Sequence, residues 1–111
     1  MSLASEELSE RIRHHLGSLP AIAEQKMFGG RCFMLNGNML VCPMKDGGLL
    51  ARVGKEGYDA ALALPGTRPM TMGARTMSGF VEVSGDVLED DEVLLDWIEL
   101  ARGFVETLPA K

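Results

Sequence analysis

Two apolar runs, Arg31 to Leu35 and Asn38 to Met44, are separated by Asn36-Gly37. Both turn residues tolerate the positive φ that a type I′ turn demands at its centre. An Asn-Gly pair between apolar runs therefore predicts a tight antiparallel hairpin. A two-residue loop pairs Leu35 with Asn38, Met34 with Met39, Phe33 with Leu40, Cys32 with Val41 and Arg31 with Cys42. One face then shows Cys32, Met34, Met39 and Val41. The other shows Phe33, Leu35, Leu40 and Cys42. Neither face is polar, whereas an antiparallel sheet with one wet face alternates apolar with polar. Helices on one side would leave an apolar patch on the other, and patches of that kind mark interfaces. Met34, Met39, Val41, Phe33 and Leu40 are the candidate interface, and the expectation is a homodimer or a protein partner held through the sheet. The alternative is a loop or terminal segment of the same chain lying over that face. This register sets Cys32 and Cys42 on opposite faces, where they cannot bridge, so both are expected as buried core residues.

The flanking segments complete the pattern. A helix is expected from about Ser5 to Leu19, capped by Ser5, with Leu8, Ile12, His15 or Leu16, and Leu19 on one stripe. Pro20 stops it. Asp46-Gly47-Gly48 turns the chain into a strand from Leu49 to Val53. Tyr58 to Leu64 reads as a short helix ended by Pro65-Gly66. Residues 67–79 read mostly as loop, with Met70 and Met72 on one strand face, and Phe80 to Val83 as a short strand. Asp90 caps the clearest helix, whose stripe is Leu94, Trp97, Ile98, Ala101, Val105 and Leu108. The expected fold is a single α+β domain over residues 1–111: two layers, an antiparallel sheet built on the hairpin meander, and N- and C-terminal helices packed against it.

Charge is unevenly distributed. Residues 26–81 hold seven basic and three acidic side chains, and residues 82–111 hold two basic and nine acidic. Acidic ends around a mildly basic middle argue against broad nucleic-acid affinity, which needs a cationic surface tracking phosphates. No apolar run approaches the ~20 residues that span a bilayer. The acidic N-terminus is unlike a secretory signal. Two cysteines make no disulfide framework, so a reduced cytoplasmic setting is expected.

No catalytic constellation is visible. A nucleophilic Ser or Cys needs a base in reach, and the only histidines, His14 and His15, are adjacent on a helix and point apart. Metal-ligand spacing is lacking. Met70, Met72 and Met77 suggest a soft-metal site, but core packing or a loop accounts for them better. Glu89-Asp90-Asp91-Glu92 suits a helix start rather than a cation site. No cofactor is implied. Arg52, Arg68 and Arg75 form a candidate anion site if the 67–79 loop folds back, against the plainer reading of scattered solvated charge.

Lys26-Met27-Phe28-Gly29-Gly30, then Asn36-Gly37-Asn38-Met39, then Asp46-Gly47-Gly48-Leu49-Leu50, resemble the N-terminal domain of the TfoX family of bacterial competence regulators. Gly79-Phe80-Val81-Glu82-Val83 and the acidic approach to a helix with Trp97 and Ala101 extend the resemblance over nearly the whole chain. Phe80 stands where members commonly carry tyrosine. The resemblance implies a two-layer α+β fold and no catalytic residues. Full-length regulators of this kind add a C-terminal helical domain and act in turning on DNA-uptake genes, with the cyclic-AMP receptor protein as partner. This chain is expected to lack that second domain. The function expected is a non-enzymatic regulatory or protein-interaction domain, with transcription machinery as a partner by resemblance. The alternative is a small-molecule or anion-binding module using Arg52, Arg68 and Arg75.

Overall fold

The computed structural model describes residues 3–17, 19, 21–27 and 30–110, with the side chains of 3–5, 27, 30 and 72 left out. The elements run α1 (Leu3–Leu16), β1 (Ile22–Met27), β2 (Gly30–Leu35), β3 (Asn38–Pro43), β4 (Leu49–Arg52), α2 (Gly54–Leu62), β5 (Thr67–Met72), β6 (Arg75–Val83), α3 (Gly85–Leu88) and α4 (Asp91–Val105). The six strands form one antiparallel sheet in the order β1-β2-β3-β4-β6-β5. Helices α1 and α4 pack across β3, α4 also reaches β4, and α2 lies against β6 and β5. The fold is α+β, as the element pattern predicts.

The Asn36-Gly37 turn forms as expected, with φ of 53° and 83°. The register beyond it does not. Leu35 pairs with Asn38 and Met34 with Met39, but Phe33 pairs with Val41, so Leu40 is an extra residue in β3. A bulge of this kind sets two residues of one strand against one of its partner and changes which way the following side chains point. Leu40 and Val41 both face the helices, together with Phe33 and Leu35. Cys32, Met39 and Cys42 share the other face. The even split drawn from an unbulged ladder is corrected here. Val41 belongs with Phe33, and Cys42 belongs with Cys32.

The main core lies between sheet and helices. Leu8, Ile12 and Leu16 of α1, and Leu94, Trp97, Ile98, Ala101 and Val105 of α4, are buried on it. Full burial of one large apolar side chain stabilises by about 1.5–3 kcal/mol. Four such side chains on α4, Leu94, Trp97, Ile98 and Val105, offset the instability of an isolated helix of this length. Asp90 caps α4 by accepting from the Glu92 N–H at 3.0 Å. Arg11 of α1 donates to the Leu88 carbonyl of α3 at 2.6 Å and to the Asp91 carboxylate at the start of α4 at 3.3 Å, and so ties α1 to both.

Several boundaries differ from the sequence expectation. Helix α1 begins at Leu3, so Ser5 lies inside it and does not cap it. Helix α2 starts at Gly54 rather than Tyr58. Residues 67–79 are largely strand, not loop. Phe28 and Gly29 of the Met-Phe-Gly-Gly run lie outside the described residues.

Arg13 of α1 grips β1 by donating twice to the Glu24 carboxylate, at 2.8 Å each. Arg31 of β2 approaches the same carboxylate at 3.5 Å. The Arg13 hydrogen bonds, and secondarily Arg31, hold the Glu24 pKa below the ordinary carboxylate range. A lowered folded-state pKa gives stability that is present above the unfolded value, about 4.3, and is lost as pH falls through the folded one. Glu24→Gln is therefore expected to flatten the acid limb of stability below about pH 4.5 and to leave its shape above pH 6 unchanged. Urea midpoints measured across pH check this.

Candidate functional site

The candidate interface residues do not share a surface. Phe33, Leu40 and Val41 are at most 1 % exposed beneath the helices. They form the core and are not available for docking. Met39 is buried on the opposite face and Met34 is half-buried beside it. That opposite face is a second small core. Cys32, Met39, Cys42, Leu50 and Met70 are each buried there, with Met34, Met44, Met77 and Phe80 packed around them. The sheet face away from the main core is thus closed over mainly by its own sulfur-bearing side chains. The two cysteines are free. The expectation that they sit on opposite faces is overturned by the bulge, and the Cys42 thiol donates to the Pro43 carbonyl at 3.6 Å.

The three arginines are not gathered either. The Arg52 guanidinium stacks near two rings, its carbon 5.4 Å from the Phe80 centroid and 5.9 Å from that of Phe104. Arg68 is committed to Glu82, at 2.9 and 3.0 Å, in a hollow that also presents Asp46 and Asp86. Those carboxylates make the surroundings of Arg68 unfavourable for an anion. Arg75 is exposed where β6 begins. Of the histidines, His14 is exposed and His15 meets Asp91 at 3.1 Å. Among the described residues no group of three or more His, Cys, Asp or Glu side chains is placed to hold a metal ion. No helix among them is long and apolar enough to cross a membrane.

The most distinctive concave surface lies elsewhere. A groove of about 550 Å³ runs between α4, α3 and the segment joining α2 to β5. Its apolar lining is Leu64, Pro65, Val87, Val93, Trp97 and Leu100, and its only ionisable lining residues are Asp86, Asp90 and Asp96. Leu64 and Leu100 are 45 % and 42 % exposed, and with Leu95 they are the large apolar side chains that the described surface leaves open. Two of those three therefore flank one groove. The fold positions them plainly. Trp97 belongs to the buried stripe of α4, Leu100 lies just off it, and the turn after α2 carries Leu64 across. The signal in the sequence was Leu100, which with Leu95 is an apolar residue outside the buried stripe of α4.

A comparison with protein families matches residues 14–104 to the TfoX N-terminal domain. The chain belongs to the TfoX N-terminal domain family. The match covers α1 from His14 onward, the whole sheet and nearly all of α4, so it includes both the groove and the sulfur-rich face. A comparison with curated proteins finds none that matches.

Proposed function

We propose that this TfoX N-terminal domain is a non-enzymatic regulatory module that holds a basic amphipathic helix of a protein partner in the groove over Trp97. The observation that carries the reading is the joining of an apolar trough with an acidic rim. An amphipathic helix lays its apolar residues into a groove and reaches the rim with its polar ones. Leu64 and Leu100 offer the apolar contact, Trp97 and Val93 the floor, and Asp86, Asp90 and Asp96 select lysine or arginine at the edge. Rim charges govern encounter rate and partner choice more than total affinity. The wider charge agrees: residues 82–111 hold nine acidic and two basic side chains.

Trp97 is the only tryptophan, so its fluorescence reports on this groove. The probe is a synthetic helical peptide of about 15 residues with leucines at i, i+3, i+4 and i+7 and lysines elsewhere. Its counterpart carries glutamates in place of the lysines. The lysine peptide is expected to change Trp97 emission saturably and to weaken with added salt. Asp86→Lys with Asp96→Lys is expected to weaken it about tenfold, or about 1.4 kcal/mol. Equal binding of the glutamate peptide, or indifference to the two substitutions, would overturn the reading.

A further inference from the structure

The face opposite the helices gathers sulfur in a way that the hairpin turn alone does not provide. The bulge at Leu40 keeps Met34 opposite Met39 and, one same-face step along, brings Cys32 together with Cys42. Two buried thiols on adjacent strands thus lie next to a cross-strand pair of thioethers. The apolar residues packed around them are Leu50, Phe80 and three further methionines, and Glu82, the carboxylate opposite Leu50, is held by Arg68.

We propose that Cys32, Cys42, Met34 and Met39 form a binding site for a soft monovalent metal ion, copper(I) or silver(I). Thiolate and thioether ligands select copper(I), whereas calcium, magnesium and manganese prefer oxygen ligands. The apolar surroundings favour a complex without net charge. One thiolate supplies that balance. One of the two thiols loses its proton to solvent as the metal–sulfur bond forms, and the other thiol and the thioethers add neutral ligands. Both thiols are almost fully buried, while Met34 is half-buried. The ion therefore enters past Met34, whose flexible thioether is a ligand on the way in. This site is independent of the groove and of the partner proposed for it.

The test is anaerobic competition for copper(I) between the reduced protein and the chromophoric chelator bathocuproine disulfonate. The protein is expected to retain one equivalent of copper(I) per chain. Cys32→Ala and Cys42→Ala are each expected to abolish retention. Met34→Leu with Met39→Leu is expected to weaken it about tenfold, with the circular dichroism melt little changed because the swap conserves volume. That double substitution keeps the proposal testable if an alanine at either cysteine unfolds the chain. Loss of all copper to the chelator would overturn the site. So would retention by Cys32→Ala, or undiminished affinity in the methionine variant.

Discussion

Gly54→Ala is expected to lower the free energy of unfolding by about 2–5 kcal/mol. Two effects add. Gly54 opens α2 with φ of +81°, a conformation that costs an L-residue about 1–2 kcal/mol. An added methyl would also stand 2.4 Å from Cδ1 of the Phe104 ring, which must move, and overpacking of this sort costs about 1–3 kcal/mol. The displacement has a visible consequence, because Phe104 is one of the two rings beside the Arg52 guanidinium. Gly103→Ala is the internal control. It lies one residue away from Phe104, inside α4, and nothing stands within 4 Å of its would-be methyl. There alanine is expected to stabilise by about 0.5–1 kcal/mol through helix propensity. Urea unfolding of the two variants should move in opposite directions. A neutral Gly54→Ala would mean that α2 does not start where it is placed.

Leu40→Ala is expected to cost about 2–5 kcal/mol, the range for truncating a fully buried leucine that leaves a partly collapsed cavity. Leu40 is fully buried and sits in the main core beneath the helices. As the extra residue of the bulge it has no direct partner on β2, so its contribution to the ladder is small and the loss is almost entirely one of packing. Equilibrium denaturation should show a shifted midpoint with an unchanged slope, because the surface exposed on unfolding stays nearly the same.

The parts of the fold that the sequence made legible are those encoded locally. Asn36-Gly37 required positive φ at two residues and obtained it. Asp90 and the stripe from Leu94 to Val105 defined α4 at its start and on its buried face. The edge strand β1 carried no such pattern. Ala23, Glu24, Gln25 and Lys26 are all exposed, so no alternation marks Ile22–Met27 as a strand. At the opposite edge, Thr67–Met72 contains Pro69 and its hairpin partner contains Gly79, residues that read as loop although edge strands and bulges accommodate them. The bulge was hidden for a different reason. Leu40 has the composition of an ordinary strand residue, and only the demand of both cores for their side chains makes it the extra one.

The candidate sites follow the same division. Each arginine was correctly seen as a charge, but proximity among Arg52, Arg68 and Arg75 depended on a loop that is instead the β5–β6 hairpin. The acidic-rimmed groove joins Leu64, Val87 and Trp97 from three separate elements, a juxtaposition that periodicity within any one of them does not contain. The cysteine pairing turned on a single register step.

That register step assigns the two faces of the sheet, and cross-strand nuclear Overhauser effects in the reduced protein test it most directly. The account predicts backbone contacts joining Phe33 to Val41, together with contacts between the β-protons of Cys32 and Cys42. Contacts joining Phe33 to Leu40 and Cys32 to Val41, with none between the cysteines, would contradict it.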